Sequence, residues 1–286
     1  MGVPKVMTSS DSKIVLAVAH MRIELGNKKR NLERLRSFAK TAHESGAKIL
    51  VLPSFFNIGP VLSDSYRVRI SRKSMIETVP GITADYLCSV VEEYGLYIVT
   101  GPIIERQGSR YYLTSLVVAP LRGVMFKYRK IFVDRDKDFL SPGRELPLLN
   151  LGFSMGMLIE EDILIPELAT MLVLNGARLL IVFQKLEREW LKFRHVLITR
   201  ALENHVKVIG VGGIISRGDE DFLEIPTLII NDEGVVVDEV KGFEDRLSIV
   251  EINSPSSATE YFLEIKRMIL KRFLRNLRSI LREGRG

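Results

Sequence analysis

The stretch that most constrains this chain is residues 152–182, GFSMGMLIEEDILIPELATMLVLNGARLLIV. Residues 155–159 read as an apolar strand that breaks into three acids. A helix then opens at Pro166 and is stopped by Gly176, and residues 178–182 form a second strand. Pro at the first helical position and Gly just past the last are the expected start and stop marks. A strand, a sharp turn and a helix N-terminus gather free backbone N–H groups and the positive end of the helix dipole at one place, which suits a reactive or anionic group. The residue at that turn is Glu160.

The rest of the chain supplies the same kind of unit. Residues 12–19 alternate into a strand. Residues 27–46 carry Leu32, Leu35, Phe38, Ala39 and Ala42 at helical spacing, and KILVL at 48–52 reads as a strand buried on both faces. A loop and short helix are expected over 60–75, and Thr83 is placed to cap a helix that runs to Tyr94. Three strands follow, at 96–104, 111–120 and 123–130. A long helix over 187–204 presents Trp190, Phe193, Leu197 and Ala201 on one face. A strand at 207–211, a hairpin of 226–231 with 235–240, and a closing strand at 245–252 complete an α/β pattern.

A chain of 286 residues with 46% hydrophobic content can bury a sizeable core. No apolar run reaches the ~18 residues of a membrane span, and the N-terminal residues lack the apolar core of a signal peptide, so a cytoplasmic location is expected. The single cysteine, Cys88, excludes an intrachain disulfide and a thiolate metal cluster. His20, His43, His195 and His205 stand singly, with none at a ligand spacing. No metal and no cofactor are expected. Cys88 itself reads as a small, partly buried thiol on the helix before Tyr94.

The segment around Glu160 resembles the nucleophile segment of the carbon–nitrogen hydrolase (nitrilase/amidase) superfamily, roughly G-x-x-I-C-Y-D-x-R-F-P-E, a helix and G-A. Laid without a gap, Gly156, Ile159, Asp162, Pro166, Glu167, Gly176 and Ala177 match. The nucleophilic cysteine falls on Glu160, and the family's arginine on Leu164. Other marks keep the frame: Asn31, Ser45-Gly46-Ala47, Lys127-Tyr128-Arg129-Lys130-Ile131 for Y-R-K-I-H, Phe139-Leu140-Ser141-Pro142-Gly143 for F-x-P-G, and Arg200-Ala201-Leu202-Glu203-Asn204 for R-A-x-E-N. The resemblance covers residues 12–252 and implies a four-layer αββα sandwich.

It also implies a site, and most of that site has changed. In the family a glutamate in L-P-E is the general base; here the text is Leu52-Pro53-Ser54. The catalytic lysine falls on Lys130. The asparagine of Y-N-S is Leu113, the histidine after the lysine motif is Phe132, and Asp138 stands near an auxiliary glutamate. Family hydrolysis needs a thiolate to attack, a glutamate to carry protons and a lysine to steady the oxyanion. Only the lysine is retained. A carboxylate attacks amides poorly, and the Ser54 hydroxyl takes no proton near neutrality.

Loss of amide and nitrile hydrolysis is therefore expected, with the fold kept for a small-molecule ligand or for assembly. The alternative is a hydrolase of unusual mechanism, using Glu160 on a more labile C–N or ester bond. Glu160 is expected to pair with Lys130, because an unpaired carboxylate in a narrow pocket is costly. Glu161 and Asp162 read simply as acids in a first helical turn.

Residues 1–256 are expected to form one such domain and residues 257–286 a basic C-terminal helix. That last segment holds eight Lys or Arg against three Glu, nearly all of the chain's +6. Tyr261, Phe262, Ile265, Met268, Ile269, Phe273, Leu277 and Ile280 recur at helical spacing, with Lys266, Lys271, Arg275, Arg278 and Arg282 on the remaining circumference. A homodimer or higher homo-oligomer joined partly through this helix is expected. Contact of its basic face with nucleic acid or a membrane surface is the less favoured reading.

Overall fold

The computed structural model describes residues 14–60, 75–134, 139–146, 148–252 and 257–283. Strand alternation sorts the apolar residues into two layers. In the strand Ile14–His20, Leu16 and Val18 point one way and Ala17 and Ala19 the other; in Leu179–Phe183, Leu179, Ile181 and Phe183 oppose Leu180 and Val182. Leu16, Val18, Leu179, Ile181 and Phe183 meet in one fully buried cluster between two sheets. Their alternates pack with helical residues: Leu35, Phe38 and Ala39 of the helix Lys28–Glu44, and Ala169, Leu172 and Val173 of the helix Pro166–Leu174. Strands buried on both faces between two helical layers make a four-layer αββα sandwich.

The first sheet runs in the order Arg246–Ile252, Ile14–His20, Ile49–Val51, Tyr97–Val99, Arg110–Ala119, Ile103–Gln107, Ile76–Glu77, with Gly123–Arg129 paired to Arg110–Ala119. The second is Val236–Val240, Thr227–Ile230, Lys207–Val211, Leu179–Phe183, Ser154–Ile159, Leu148–Asn150. The two sheets present their parallel strand ends to a common region, where Lys130 and Glu160 follow the strands Gly123–Arg129 and Ser154–Ile159.

Several local expectations are corrected. The strand expected at 96–104 is two strands, Tyr97–Val99 and Ile103–Gln107. The chain breaks at Gly101, where a Cβ would lie 2.3 Å from the Pro53 carbonyl oxygen, so only glycine lets the two backbones meet. The helix expected over 187–204 is a 3-10 turn, Arg188–Phe193, followed by an α-helix, Arg194–Asn204. Thr83 does not cap the helix Ile82–Tyr94, whose N-cap is Gly81; its hydroxyl donates to Glu77 Oε1 at 2.5 Å. A small third sheet of Arg22–Glu24, Gly213–Arg217 and Glu220–Ile225 was not foreseen, nor was the strand Leu148–Asn150. The expected short helix falls largely on residues 61–74, outside the described residues.

The last helix is Ser257–Glu283. Its first turns dock on the second helical layer. Leu263 is buried, Phe262 lies against the His205 ring, and the Lys266 ammonium donates to Glu203 O (3.0 Å) and Asn204 Oδ1 (2.7 Å). Beyond Arg267, whose guanidinium donates to Leu174 O, the side chains of Met268, Ile269, Leu270, Phe273 and Leu274 are exposed. The side chains of Arg275, Leu277, Ile280 and Arg282 lie outside the described residues. Among the described residues no helix is long and apolar enough to cross a membrane.

Candidate functional site

The strands Ser154–Ile159 and Leu179–Phe183 run parallel with Ile159 opposite Phe183, so the residues that follow, Glu160 and Gln184, emerge together at one sheet end. Glu160 has φ 50°, a left-handed backbone that few non-glycine residues adopt, and it opens the 3-10 turn Glu160–Leu164 ahead of the helix at Pro166. Asp162 holds this elbow. Its Oδ2 accepts from the Tyr128 hydroxyl (2.6 Å) and the Ile159 amide (3.2 Å), and its Oδ1 from the amides of Phe132 (2.7 Å) and Ile131 (3.1 Å). From the far side, Arg200 Nε donates to Ile163 O at 3.0 Å, while Asn204 takes Thr170 Oγ1 at 3.0 Å. The R-A-x-E-N residues thus clamp the elbow to the helix Arg194–Asn204.

Lys130, the first residue after the strand Gly123–Arg129, reaches across from the other sheet. Its ammonium lies 2.6 Å from Glu160 Oε2, with both side chains almost fully buried, and also pairs with Glu161 Oε2. Glu161 Oε1 accepts from Lys185 (3.0 Å), which in turn lies 3.5 Å from Glu187. Charges therefore alternate along Glu160, Lys130, Glu161, Lys185 and Glu187. Burial pushes the Glu160 carboxyl above its ordinary value, more than Lys130 draws it down. Burial also works against Glu161, but Lys130 and Lys185 prevail and hold it down at about 2. For Lys130 the desolvation is outweighed by the two carboxylates, and its pKa is raised.

These contacts correct the reading of Glu161 and Asp162 as mere first-turn acids. Asp162 is buried among four donors, and Glu161 joins two lysines. Glu161 and Lys185 were both missed as members of the site. The parallel register of the folded strands places Lys185 one residue past Gln184 and therefore level with Glu161, a juxtaposition with no local signal in the sequence.

The other expected positions surround this cluster. Ser54, fully buried, donates from Oγ to Gln184 O at 2.9 Å, the residue beside Glu160 in the register and next to Lys185. Leu113 is buried, and its carbonyl accepts the Lys130 amide at 2.9 Å. Leu164 and Phe132 line an open cavity of about 290 Å³ together with Lys130 and Glu161, facing the aromatic pair Trp190 and Phe193, whose ring centroids are 4.6 Å apart. Lys185, Glu187, Glu189 and Lys192 stand on the same walls, whereas Glu160 and Ser54 do not. Asp138 lies outside the described residues. Among the described residues no group of three or more His, Cys, Asp or Glu is placed to hold a metal ion.

Because the folded Glu161 carboxyl titrates below its ordinary value of 4.5, its charge stabilises the fold fully above that value. The contribution is lost as the pH falls toward about 2. Glu161→Gln should accordingly destabilise the protein at pH 7, and the difference from the parent should shrink progressively below pH 4.5 in urea titrations. A gap that persists unchanged to low pH would mean that the ion pairs are not what the substitution removes.

The sole thiol lies elsewhere. Cys88 is half-buried on the helix Ile82–Tyr94, and burial, with Asp85 and Glu92, pushes its pKa up. Labelling by a maleimide should be slow and confined to Cys88. Fast stoichiometric labelling at neutral pH would contradict that environment.

Two sheets back to back, an elbow at a strand end and a lysine facing it from the opposite sheet define the class. The carbon-nitrogen hydrolase family matches residues 15–259, and the chain belongs to that family. It is 28% identical over 246 residues to a nitrilase of Pyrococcus abyssi, covering 84% of this chain and 90% of that one. It is 30% identical over 181 residues to the omega-amidase NIT2 of Danio rerio, a match spanning 59% of this chain and 62% of the relative. In structure it is similar to an amidase from Nesterenkonia sp. (TM-score 0.73, 20% identity, 91% of this chain and 95% of that chain). It is also similar to Saccharomyces cerevisiae Nit3 of the nitrilase superfamily (TM-score 0.73, 21% identity, 90% and 97%). At such identities these two structures speak for the fold alone.

Proposed function

We propose that this carbon-nitrogen hydrolase family member does not hydrolyse amides or nitriles and keeps its fold for binding a small molecule and for assembly. The observation that carries this reading is the Lys130–Glu160 contact of 2.6 Å. A lysine that steadies an oxyanion must have its ammonium free to meet the charge that develops on the substrate. Here Glu160 and Glu161 already neutralise it, and the residue at the nucleophile position is the partner that does so. Ser54 cannot serve as a base, since a hydroxyl takes no proton near neutrality, and its O–H donates to Gln184 O.

A binding role remains compatible with the cavity beside the cluster. Trp190, Phe193, Phe132 and Leu164 provide apolar wall, and the mixed lysines and acids provide polar anchors, the usual make-up of a small-molecule site. The nitrilase and omega-amidase names belong to the relatives, and the cysteine and glutamate that the family resemblance implies for such chemistry are Glu160 and Ser54 in this chain. The competing reading, a hydrolase in which Glu160 activates water, draws on the raised pKa of that carboxyl. It is weakened by the burial of Glu160 behind Lys130, away from the cavity wall.

Incubation with a panel of amides, nitriles and activated esters separates the two. No turnover above buffer is expected for any of them. Turnover that disappears in Glu160→Gln would establish the hydrolase reading instead.

A further inference from the structure

The opposite face of the lysine-bearing strand carries a second cavity, of about 420 Å³. Side chains alternate, so while Tyr128 and Lys130 turn toward the elbow, Lys127 and Arg129 turn away from it. Register places Arg129 beside Thr114, and Tyr112 and Arg110 of the neighbouring strand share that outer face. The rim is the segment Pro142 to Glu145. It is held tightly: the Gly143 amide donates to Lys130 O at 2.7 Å, and a Cβ on Gly143 would lie 2.2 Å from Arg129 O.

The charge of this cavity is unbalanced. Arg110, Lys127, Arg129 and Arg144 line it against one facing acid, Glu145. Glu105 lies buried beneath and is fully engaged. It accepts from Lys127 Nζ (2.8 Å), Arg129 Nε (2.9 Å), Arg129 Nη2 (3.0 Å) and Thr114 Oγ1 (2.7 Å). Burial pushes that carboxyl up, but these donors outweigh it and hold its pKa below the ordinary value, so Glu105 is charged and fixes its two cations in place. The Arg129 guanidinium is also braced 4.1 Å over the Tyr112 ring. Among the described residues Arg110 and Arg144 have no ion-pair partner. Two pre-oriented cations and two uncommitted arginines thus converge on a cavity larger than one oxyanion.

We propose that this cavity is a binding site for a multivalent phosphoryl anion, a pyrophosphoryl group or the phosphate end of a small phosphorylated molecule. Guanidinium groups suit this ligand because their planar forks match the geometry of phosphate oxygens. The site is separate from the elbow cavity, with which it shares no lining residue, and the hydrogen bond donated by the Gly143 amide to Lys130 O links the two walls through backbone.

The test is calorimetric titration of the full chain with sodium pyrophosphate at near-physiological salt. Three proteins are compared: the parent, Arg110→Glu with Arg144→Glu, and the control Lys29→Glu with Lys40→Glu. The control reverses two exposed charges on the helix Lys28–Glu44. The parent is expected to bind one pyrophosphate per chain. The first pair should weaken binding by roughly tenfold or more, and the control should leave it nearly unchanged. Arg110→Gln and Arg144→Gln, measured singly, serve if the double variant does not fold. Absence of binding by the parent at millimolar pyrophosphate overturns the proposal, as does an equal loss in the control, which would reduce the effect to net charge.

Discussion

Lys130→Met should destabilise the protein by about 3–5 kcal/mol in urea unfolding at pH 7, because it leaves the buried Glu160 carboxylate without its cation. Losing one member of a buried pair and losing both are not equivalent. Bringing two charges out of water costs several kcal/mol each, and their attraction repays this only while both are present. Glu160→Gln should cost much less, since Lys130 keeps Glu161 as its partner. The double change Lys130→Met with Glu160→Met should recover most of the loss, replacing the pair by apolar groups of similar length. Glu161 then retains Lys185 at 3.0 Å. A loss below about 1 kcal/mol for Lys130→Met would place the cluster in the class of solvated surface pairs. It would also remove the main support for an occupied, inactive site.

The same cluster explains why placing a cysteine and a glutamate at these positions is not simple. Ser54→Glu with Glu160→Cys supplies the residue types that the family resemblance implies, yet it introduces a carboxylate at a fully buried position whose hydroxyl now bonds to Gln184 O. It also removes the carboxylate that Lys130 pairs with. The lysine would still be held by Glu161, and Leu113 and Leu164 would keep the surroundings apolar where the family resemblance implies an asparagine and an arginine. A reactive thiol is expected from the double variant, readable as rapid labelling of a second cysteine, without efficient turnover.

How far the sequence reached depends on which residues spoke through period and which through partners. Leu16 and Val18 against Ala17 and Ala19, or Leu180 and Val182 against Ile181, follow from alternation, and with the helix at Pro166 they suffice for a sandwich with helices outside. The pairing of Lys130 with Glu160 was legible because both positions were anchored by motifs in a gap-free frame. Glu161 looked like any acid in a first helical turn. Its part depends on Lys185, a residue from another strand end that no short-range pattern connects to it. The break at Gly101 was hidden for a similar reason: it comes from the approach of Pro53, distant in sequence. The third sheet joins Arg22–Glu24 to Gly213–Arg217, a pairing that local propensity cannot encode.

Removing residues after Ser257 should reduce the solution mass from at least a dimer to a monomer and lower the melting temperature. The helix Ser257–Glu283 divides into a docked start and a free continuation. Leu263 and Lys266 are engaged with the second helical layer, whereas Ile269, Phe273 and Leu274 continue beyond it exposed. With Leu270 also exposed, they extend the docking face of the same helix over roughly one further turn and a half. An apolar stripe of that length left in water is the kind of patch monomers avoid. A second copy is the occupant that fits it, because a two-fold axis would lay like stripe on like stripe while Lys271 and Arg272 turn outward. Deletion alone would confound lost docking with lost assembly, so Ile269→Ser with Phe273→Ser supplies the sharper comparison. That pair leaves Leu263 and Lys266 seated and should dissociate the protein with only a small change in the melting temperature of the dilute chain. If light scattering finds the parent monomeric, or finds the deletion and the paired serine variants unchanged in mass, the stripe does not join copies of this chain. The basic helix would then be better read as a contact for an acidic surface, testable by sedimentation with anionic vesicles and with nucleic acid.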